Sequence, residues 1–222
     1  MVNIVETLRI LIADDHELFR DGIRSLLQSH AGWEICGEAS TGREAVAKSK
    51  ELRPDVVILD ISMPDLNGAD AARRIRKESA NTEVLILSMH YSDQLIREIV
   101  DAGASGYVLK SDSEHDLLVA VETLARHKPF FTSQATEVIQ GKFSLGIPVA
   151  KIPTSLASRV TSREREIIQL LSEGKKNKEI ASLLNISIKT VETHRSNVMR
   201  KLEMHSVTEL VRYAVRNQII EP

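Results

Sequence analysis

Five short apolar runs, each handing over to a stretch with helical spacing, constrain this chain more than any other feature of its sequence. Leu8 to Ala13 is the first, and Leu18, Gly22, Ile23, Leu26 and Leu27 then recur at helical intervals. Trp33 to Ala39 precedes a helix over Arg43 to Leu52 that Pro54 closes. Val56 to Leu59 precedes a helix from Ala69 to Lys77, Glu83 to Ser88 one from Gln94 to Ala102, and Gly106 to Leu109 one from Asp116 to Ala125. Parallel strands need crossover connections, so the alternation predicts an α/β unit, a parallel sheet with helices on both faces. Only 4% of the residues are aromatic, which leaves the core to Leu, Ile, Val and Ala.

Ligands bind such a sheet where its strands end and the next helices begin. Asp14, Asp15, Asp60, Ser88 and Lys110 each stand just past the end of an apolar run. Taken singly, the aspartates read as helix caps, Ser88 as a partner of its own backbone and Lys110 as a solvated terminus. Their coincidence at one sheet edge favours chemistry. Three carboxylates brought together repel one another, and Mg²⁺, a hard cation that takes oxygen ligands, relieves that repulsion. Asp60 is then placed to accept a phosphoryl group and become an aspartyl phosphate. Lys110 pairs with the phosphoryl oxygens as a point charge, and the Ser88 hydroxyl donates to one of them.

With Met63-Pro64 and Gly68 following Asp60, this set resembles the receiver domain of bacterial two-component response regulators across residues 8 to 126. The resemblance implies a flavodoxin-like (βα)5 fold with strand order 2-1-3-4-5, a sensor histidine kinase as phosphoryl donor and Mg²⁺ as cofactor. It further implies that Asp15 and Asp60 bind Mg²⁺ through side chains, Asp14 through a water and Ser62 through its backbone carbonyl. Ser88 and Tyr107 become a switch pair: the hydroxyl moves toward the phosphate and the ring turns inward behind it. Taken alone, Tyr107 reads as a half-buried strand residue with its hydroxyl in water. One departure is Ser111, which follows Lys110 where many receivers carry proline. The receiver is expected over residues 7–127.

Residues 128–157 lose the pattern. Ser133 to Gln140 admits a short helix with Ala135, Val138 and Ile139 on one side, and Gly146, Pro148 and Pro153 mark a linker. An extra strand around Ile147 to Ile152 is the alternative. Charge changes sign across this stretch. Residues 1–150 hold 16 Lys+Arg against 23 Asp+Glu, and residues 151–222 hold 13 against 8. The two parts are built for different partners.

Residues 158–222 read as a small all-α unit. Thr161 and Glu164 form a capping box for a helix that Gly174 ends. Asn177 caps a second helix, Lys178 to Leu184, Asn185 suits a left-handed turn, and Ser187 caps a third, Ile188 to Leu202. On that third helix Val191, Val198 and Leu202 form an inward stripe, with His194 and Arg195 at its margin. Lys189, Glu192, Thr193, Ser196, Asn197 and Arg200 lie opposite. A short helix, a tight turn and a second helix with a polar face make a helix-turn-helix, and the neighbouring Lys175, Lys176 and Lys178 favour phosphate.

The run from Ser162 to Glu166, Gly174, Asn177 to Ala181, Ile186-Ser187, Lys189-Thr190-Val191, His194 and Lys201-Leu202 is similar to the LuxR-type helix-turn-helix. Joined to a receiver, it resembles the NarL/FixJ class of response regulators. That resemblance adds Thr190 and His194 to Lys178 and the polar face as contacts to promoter DNA. It also implies a homodimer on DNA, made by a final helix from Val207 to Asn217 through Leu210, Val211 and Ala214; taken alone, that helix reads equally as one that packs on its own core. Glu192 departs from the lysine that many members carry there. The connector also permits a resting arrangement in which the receiver covers the recognition helix.

The chain is expected to be cytoplasmic: no apolar run approaches the roughly 18–20 residues that span a bilayer, and one cysteine, Cys36, fits a reducing compartment. It is expected not to be a turnover enzyme. Phosphatases with an aspartyl intermediate carry a second aspartate two residues after the nucleophile, where this chain has Ser62.

Overall fold

The computed structural model describes residues 7–112, 114–144, 160–217 and 219–220. Five strands, β1 (Leu8–Ala13), β2 (Trp33–Ala39), β3 (Val56–Asp60), β4 (Glu83–Ser88) and β5 (Gly106–Leu109), form one parallel sheet in the order β2-β1-β3-β4-β5. This is the flavodoxin-like order expected. β3 is buried along its whole length, as a continuous apolar run covered on both faces must be.

Successive side chains point to opposite faces of a strand, so each strand feeds two cores. Leu11, Val57, Leu59, Val84 and Ile86 pack toward α2 (Gly42–Leu52), α3 (Gly68–Glu78) and α4 (Asp93–Asp101). Ile10, Ile12, Ile58, Leu85 and Leu87 pack toward α1 (Glu17–Gln28) and α5 (Glu114–Ala125). The register pairs Ala13 with Leu59 and Asp60 with Leu87, which brings the ends of the central strands level.

The start of the connector packs on the sheet. Phe130 N donates to Ser105 O at 3.0 Å and its carbonyl accepts from Tyr107 N at 2.9 Å, so the chain after α5 covers the open edge of β5. α6 (Ser133–Ser144) runs four residues past the expected Gln140. Ala135 is buried, and Val138 and Ile139 are partly buried against the core on the α3–α4 side. The strand considered at Ile147 to Ile152 lies outside the described residues.

The second unit consists of α7 (Ser162–Ser172), α8 (Asn177–Leu184), α9 (Ile188–Lys201) and α10 (Val207–Arg216) around its own apolar core. The capping box is formed as expected: Glu164 N donates to Thr161 Oγ1 at 3.2 Å, and Thr161 N to Glu164 Oε2 at 2.9 Å. Lys201 Nζ reaches the same carboxylate at 2.7 Å, tying the end of α9 to the start of α7. Asn185 takes the left-handed conformation, φ 51°, and the Ser187 hydroxyl accepts from Thr190 N at 3.0 Å. α8 starts one residue earlier than expected. Lys176 is its N-cap, and the Glu179 carboxylate accepts from Lys176 N at 2.7 Å.

Gly68 closes the loop after β3 by donating to Ile61 O at 2.9 Å, and a Cβ there would run into the Asp60 carbonyl oxygen. Gly68→Ala is therefore expected to lower stability by roughly 2 kcal/mol or more, read as a drop in the urea midpoint.

Candidate functional site

β1 ends at Ala13 and β3 at Asp60, so the parallel register sets Asp14 beside Asp60 at the carboxyl edge. Both are buried, with 0% and 1% of their surface exposed, whereas Asp15 stands at the rim. Lys110, just past β5, sends its ammonium 3.0 Å from Asp60 Oδ1 and 2.8 Å from Asp14 Oδ2. Its Nζ also stands 4.7 Å from the centre of the Phe19 ring. Burial lowers the Lys110 pKa, but Asp60 and Asp14 more than offset it and leave the amine above its ordinary value.

Burial raises Asp60 to a pKa of about 6 against the pull of Lys110, with Asp14 and Asp15 adding to the rise. Asp60 Oδ2 is buried with no hydrogen-bond partner. Ligating atoms of Asp14, Asp15, His16 and Asp60 all lie within 4.8 Å of one another. An orphaned carboxylate oxygen in a cluster of acidic side chains with a single ammonium fits a hard divalent cation. His16 escaped the sequence reasoning. Its signal was adjacency: it follows the aspartate pair at the same strand end, where its Nδ1 lies 3.0 Å from Asp15 Oδ1 and its N–H donates to Asp14 Oδ1 at 2.9 Å.

Ser88 ends β4, and its hydroxyl donates to His90 O at 2.8 Å. Tyr107 is fully buried, and its hydroxyl donates to the same carbonyl at 3.0 Å. Its ring packs edge-on to Tyr91 with centroids 6.3 Å apart. The reading of Tyr107 with its hydroxyl in water is thereby corrected: a neighbouring backbone carbonyl replaces water as acceptor, and burial pushes the phenol pKa up. Ser62 is half-buried in the loop after β3. The Lys110–Ser111 bond is not cis, since no cis peptide occurs among the described residues.

On the helical unit Lys178, Lys189, Glu192, Thr193, Ser196 and Arg200 are exposed, and Thr190, His194 and Asn197 half-exposed. Val191, Val198 and Leu202 face the core as expected. Most of the contacts that join the units among the described residues come from α7 rather than from this polar face, with Lys175 Nζ 3.4 Å from Asp65 Oδ1 and Asn217 Oδ1 accepting from Gln94 Nε2 at 3.4 Å beside them. Glu166 of α7, fully buried, pairs with Arg43 and, at 2.9 Å, with Arg74, while Arg165 pairs with Glu98. Leu210 and Ala214 correct the expected dimer contacts. Both are 0% exposed inside the unit's own core and have no surface to offer a second copy, whereas Val211 is half-buried.

Residues 10–122 match the family model described as the response regulator receiver domain, and residues 158–214 that of the luxR family of bacterial regulatory proteins. A receiver with a buried acidic edge, joined to a LuxR-type helix-turn-helix, defines a two-component response regulator. This chain belongs to that family and is a phosphorylation-dependent transcription regulator. Response regulator protein VraR of Staphylococcus aureus is 36% identical over 215 residues, covering 97% of this chain and 100% of the relative. A LuxR-family response regulator from Aurantimonas sp. SI85-9A1 is 31% identical, with a TM-score of 0.58, over 62% of this chain and 99% of that one. RcsB of Salmonella enterica serovar Typhimurium, solved on promoter DNA with the phosphomimetic BeF3-, is 26% identical with a TM-score of 0.61, over 93% of this chain and 98% of that one. Among the described residues no helix is long and apolar enough to cross a membrane.

The raised pKa of Asp60 has a sign. Its protonated form stabilises the metal-free fold fully below about pH 4, and that contribution is lost as pH rises through about 6. Asp60→Asn, which imitates the protonated form, is expected to raise metal-free stability by on the order of 1–3 kcal/mol at pH 7.5. The gain should shrink toward zero at pH 4, as followed by chemical denaturation across that range.

Proposed function

We propose that Asp60 is the phosphoacceptor and that its state governs promoter binding by α9. The observation that carries this reading is the buried Asp60 carboxylate, one oxygen held by Lys110 and the other without a partner. A carboxylate oxygen attacks the phosphorus of a phosphohistidine on a sensor kinase. The phosphorus–nitrogen bond breaks, and the imidazole leaves with its electron pair. Asp60 needs no general base, because at neutral pH it is already mostly ionised. Lys110, now beside Asp60 and Asp14, faces the added phosphoryl oxygens and pairs with them.

Mg²⁺ is the proposed cofactor: Asp15 and Asp60 would hold it through their side chains, Asp14 through a water and Ser62 through its carbonyl, and it would neutralise charge on the transferring group. Ser88 must release His90 O to donate to the phosphoryl group. Tyr107 shares that acceptor, so the release leaves the buried tyrosine as its remaining side-chain donor, and the β4–α4 loop is the segment that registers the change. Asp60 accepts and later loses its own phosphoryl group, and no separate substrate turns over.

The receiver is taken as residues 7–127, the connector as 128–157 and the DNA-binding domain as 158–222. In the helix-turn-helix, α9 enters the major groove with Lys189, Thr190, Glu192, Thr193, His194, Ser196, Asn197 and Arg200. Lys178 contacts a phosphate. RcsB has been solved as dimers bound to DNA, and a homodimer on DNA is proposed here through the outer face of α10. There Val207, Val211 and Val215 recur at intervals of four and none is fully buried. DNA as partner makes the protein cytoplasmic.

Asp60→Asn is expected to abolish labelling by acetyl phosphate in Mg²⁺, measured on a phosphate-affinity gel; persistent labelling would place the acceptor elsewhere. Lys178→Ala is expected to weaken binding to all duplexes alike and to flatten the slope of log affinity against log salt by about 1. A salt series of gel shifts reads that slope.

A further inference from the structure

The loop that follows Asp60 depends on the other unit for backbone partners. Met63 and Asn67 are each 2% exposed, so their peptide groups need hydrogen bonds from protein. α7 supplies them. Gln169 Nε2 donates to Met63 O at 2.8 Å, and Gln169 Oε1 accepts from Asn67 N at 2.8 Å. The same Nε2 donates to Glu173 Oε1 at 2.8 Å, and that oxygen accepts from Asp65 N at 3.1 Å. One side-chain amide, 1% exposed, thus grips the loop near both ends, and its neighbour one turn on holds the middle.

We propose that Gln169, on the first helix of the DNA-binding unit, is a positioning residue for the phosphoacceptor pocket: it holds the loop 61–67, which carries the Ser62 carbonyl, in the form that takes a divalent cation. The proposal rests on the phosphoacceptor reading above.

The loop has little freedom to hold that form alone. Asp65 sits at φ 65°, a conformation that disfavours an L residue by about 1–2 kcal/mol. Its amide is held by Glu173, and Glu173 is held by Gln169. Without the clamp, buried peptide groups at Met63 and Asn67 lose their partners and the segment must turn to find water. A ligand carried on a segment that has to be ordered first binds its cation more weakly, because the ordering is charged against binding. In the docked form the carboxylates of Asp14, Asp15 and Asp60 already lie within 4.8 Å of one another.

Such coupling is reciprocal. If docking of α7 raises cation affinity, the cation tightens docking by the same factor, and a loop movement on phosphorylation is felt first at Gln169. The flanking ion pairs, Glu166 with Arg43 and Arg74 and Arg165 with Glu98, hold the helix where its glutamine can reach.

Gln169→Leu keeps the size and the helix preference of the side chain but removes both polar ends. In the full unphosphorylated chain, calorimetric titration with Mg²⁺ is expected to show a dissociation constant raised about fivefold or more. The Mg²⁺ concentration that half-saturates acetyl phosphate labelling should rise by the same factor, while the rate at saturating Mg²⁺ stays at the wild-type value. A general loss of structure would lower both. Unchanged Mg²⁺ affinity in a variant that keeps its circular dichroism and DNA binding overturns the proposal. Should Gln169→Leu fail to fold, Glu173→Leu, which frees the Asp65 amide, is read by the same criterion with a smaller shift expected. Labelling that survives Asp60→Asn strikes the phosphoacceptor reading itself, so the two failures are told apart.

Discussion

Asp14 and Asp60 are carboxylates held out of water, and the only ammonium that reaches them both among the described residues is Lys110. Everything else at that edge follows from this arrangement. Burying a charge is unfavourable unless it is paired and hydrogen-bonded, and one ammonium that meets both buried carboxylates cannot balance their charge and that of Asp15 at the rim. Burial raises the Asp60 pKa, the neighbouring carboxylates add to the rise, and Asp60 Oδ2 is left without a partner. A sheet with polar strands could not hold such a cluster rigidly. Here five apolar strands, packed on both faces, fix the backbone from which the charged groups project.

The same edge is continuous with the interface to the helical unit. The loop after β3 borders the acidic cluster on one side and α7 on the other, so one short segment belongs to both. α7 docks through buried polar and ionic groups and leaves the polar face of α9 exposed. Polar interfaces of this kind separate more readily than apolar ones, because each group regains water on leaving. The chain therefore keeps the polar face of α9 exposed while α7 holds the loop that follows Asp60.

Most of the site was legible because it is local. Asp14, Asp15, Asp60, Ser88 and Lys110 stand at the ends of apolar runs, and a parallel sheet must bring those ends to one edge whatever its detailed packing. The helix-turn-helix was legible for a similar reason. Capping at Thr161 and Ser187 and the left-handed Asn185 are decided within a few residues. Errors fell where the answer depends on residues far away in the chain. Leu210 and Ala214 carry an apolar pattern that suits a dimer surface as well as a core, and only the packing of α10 on α7 separates the two.

By itself, then, the sequence determined the strand and helix pattern, the sheet order that the family resemblance implies, and the charged groups at the strand ends, because each rests on short-range spacing and chain reversal. Tertiary structure alone decided that Tyr107 shares the His90 carbonyl with Ser88, that Phe130 closes the sheet edge and that α6 packs against the α3–α4 side. It also decided that Gln169 meets a loop 106 residues earlier in the chain. A glutamine on a helix carries no periodic or spacing signal for such a role. Its meaning comes from two buried backbone groups that lack partners until the units meet.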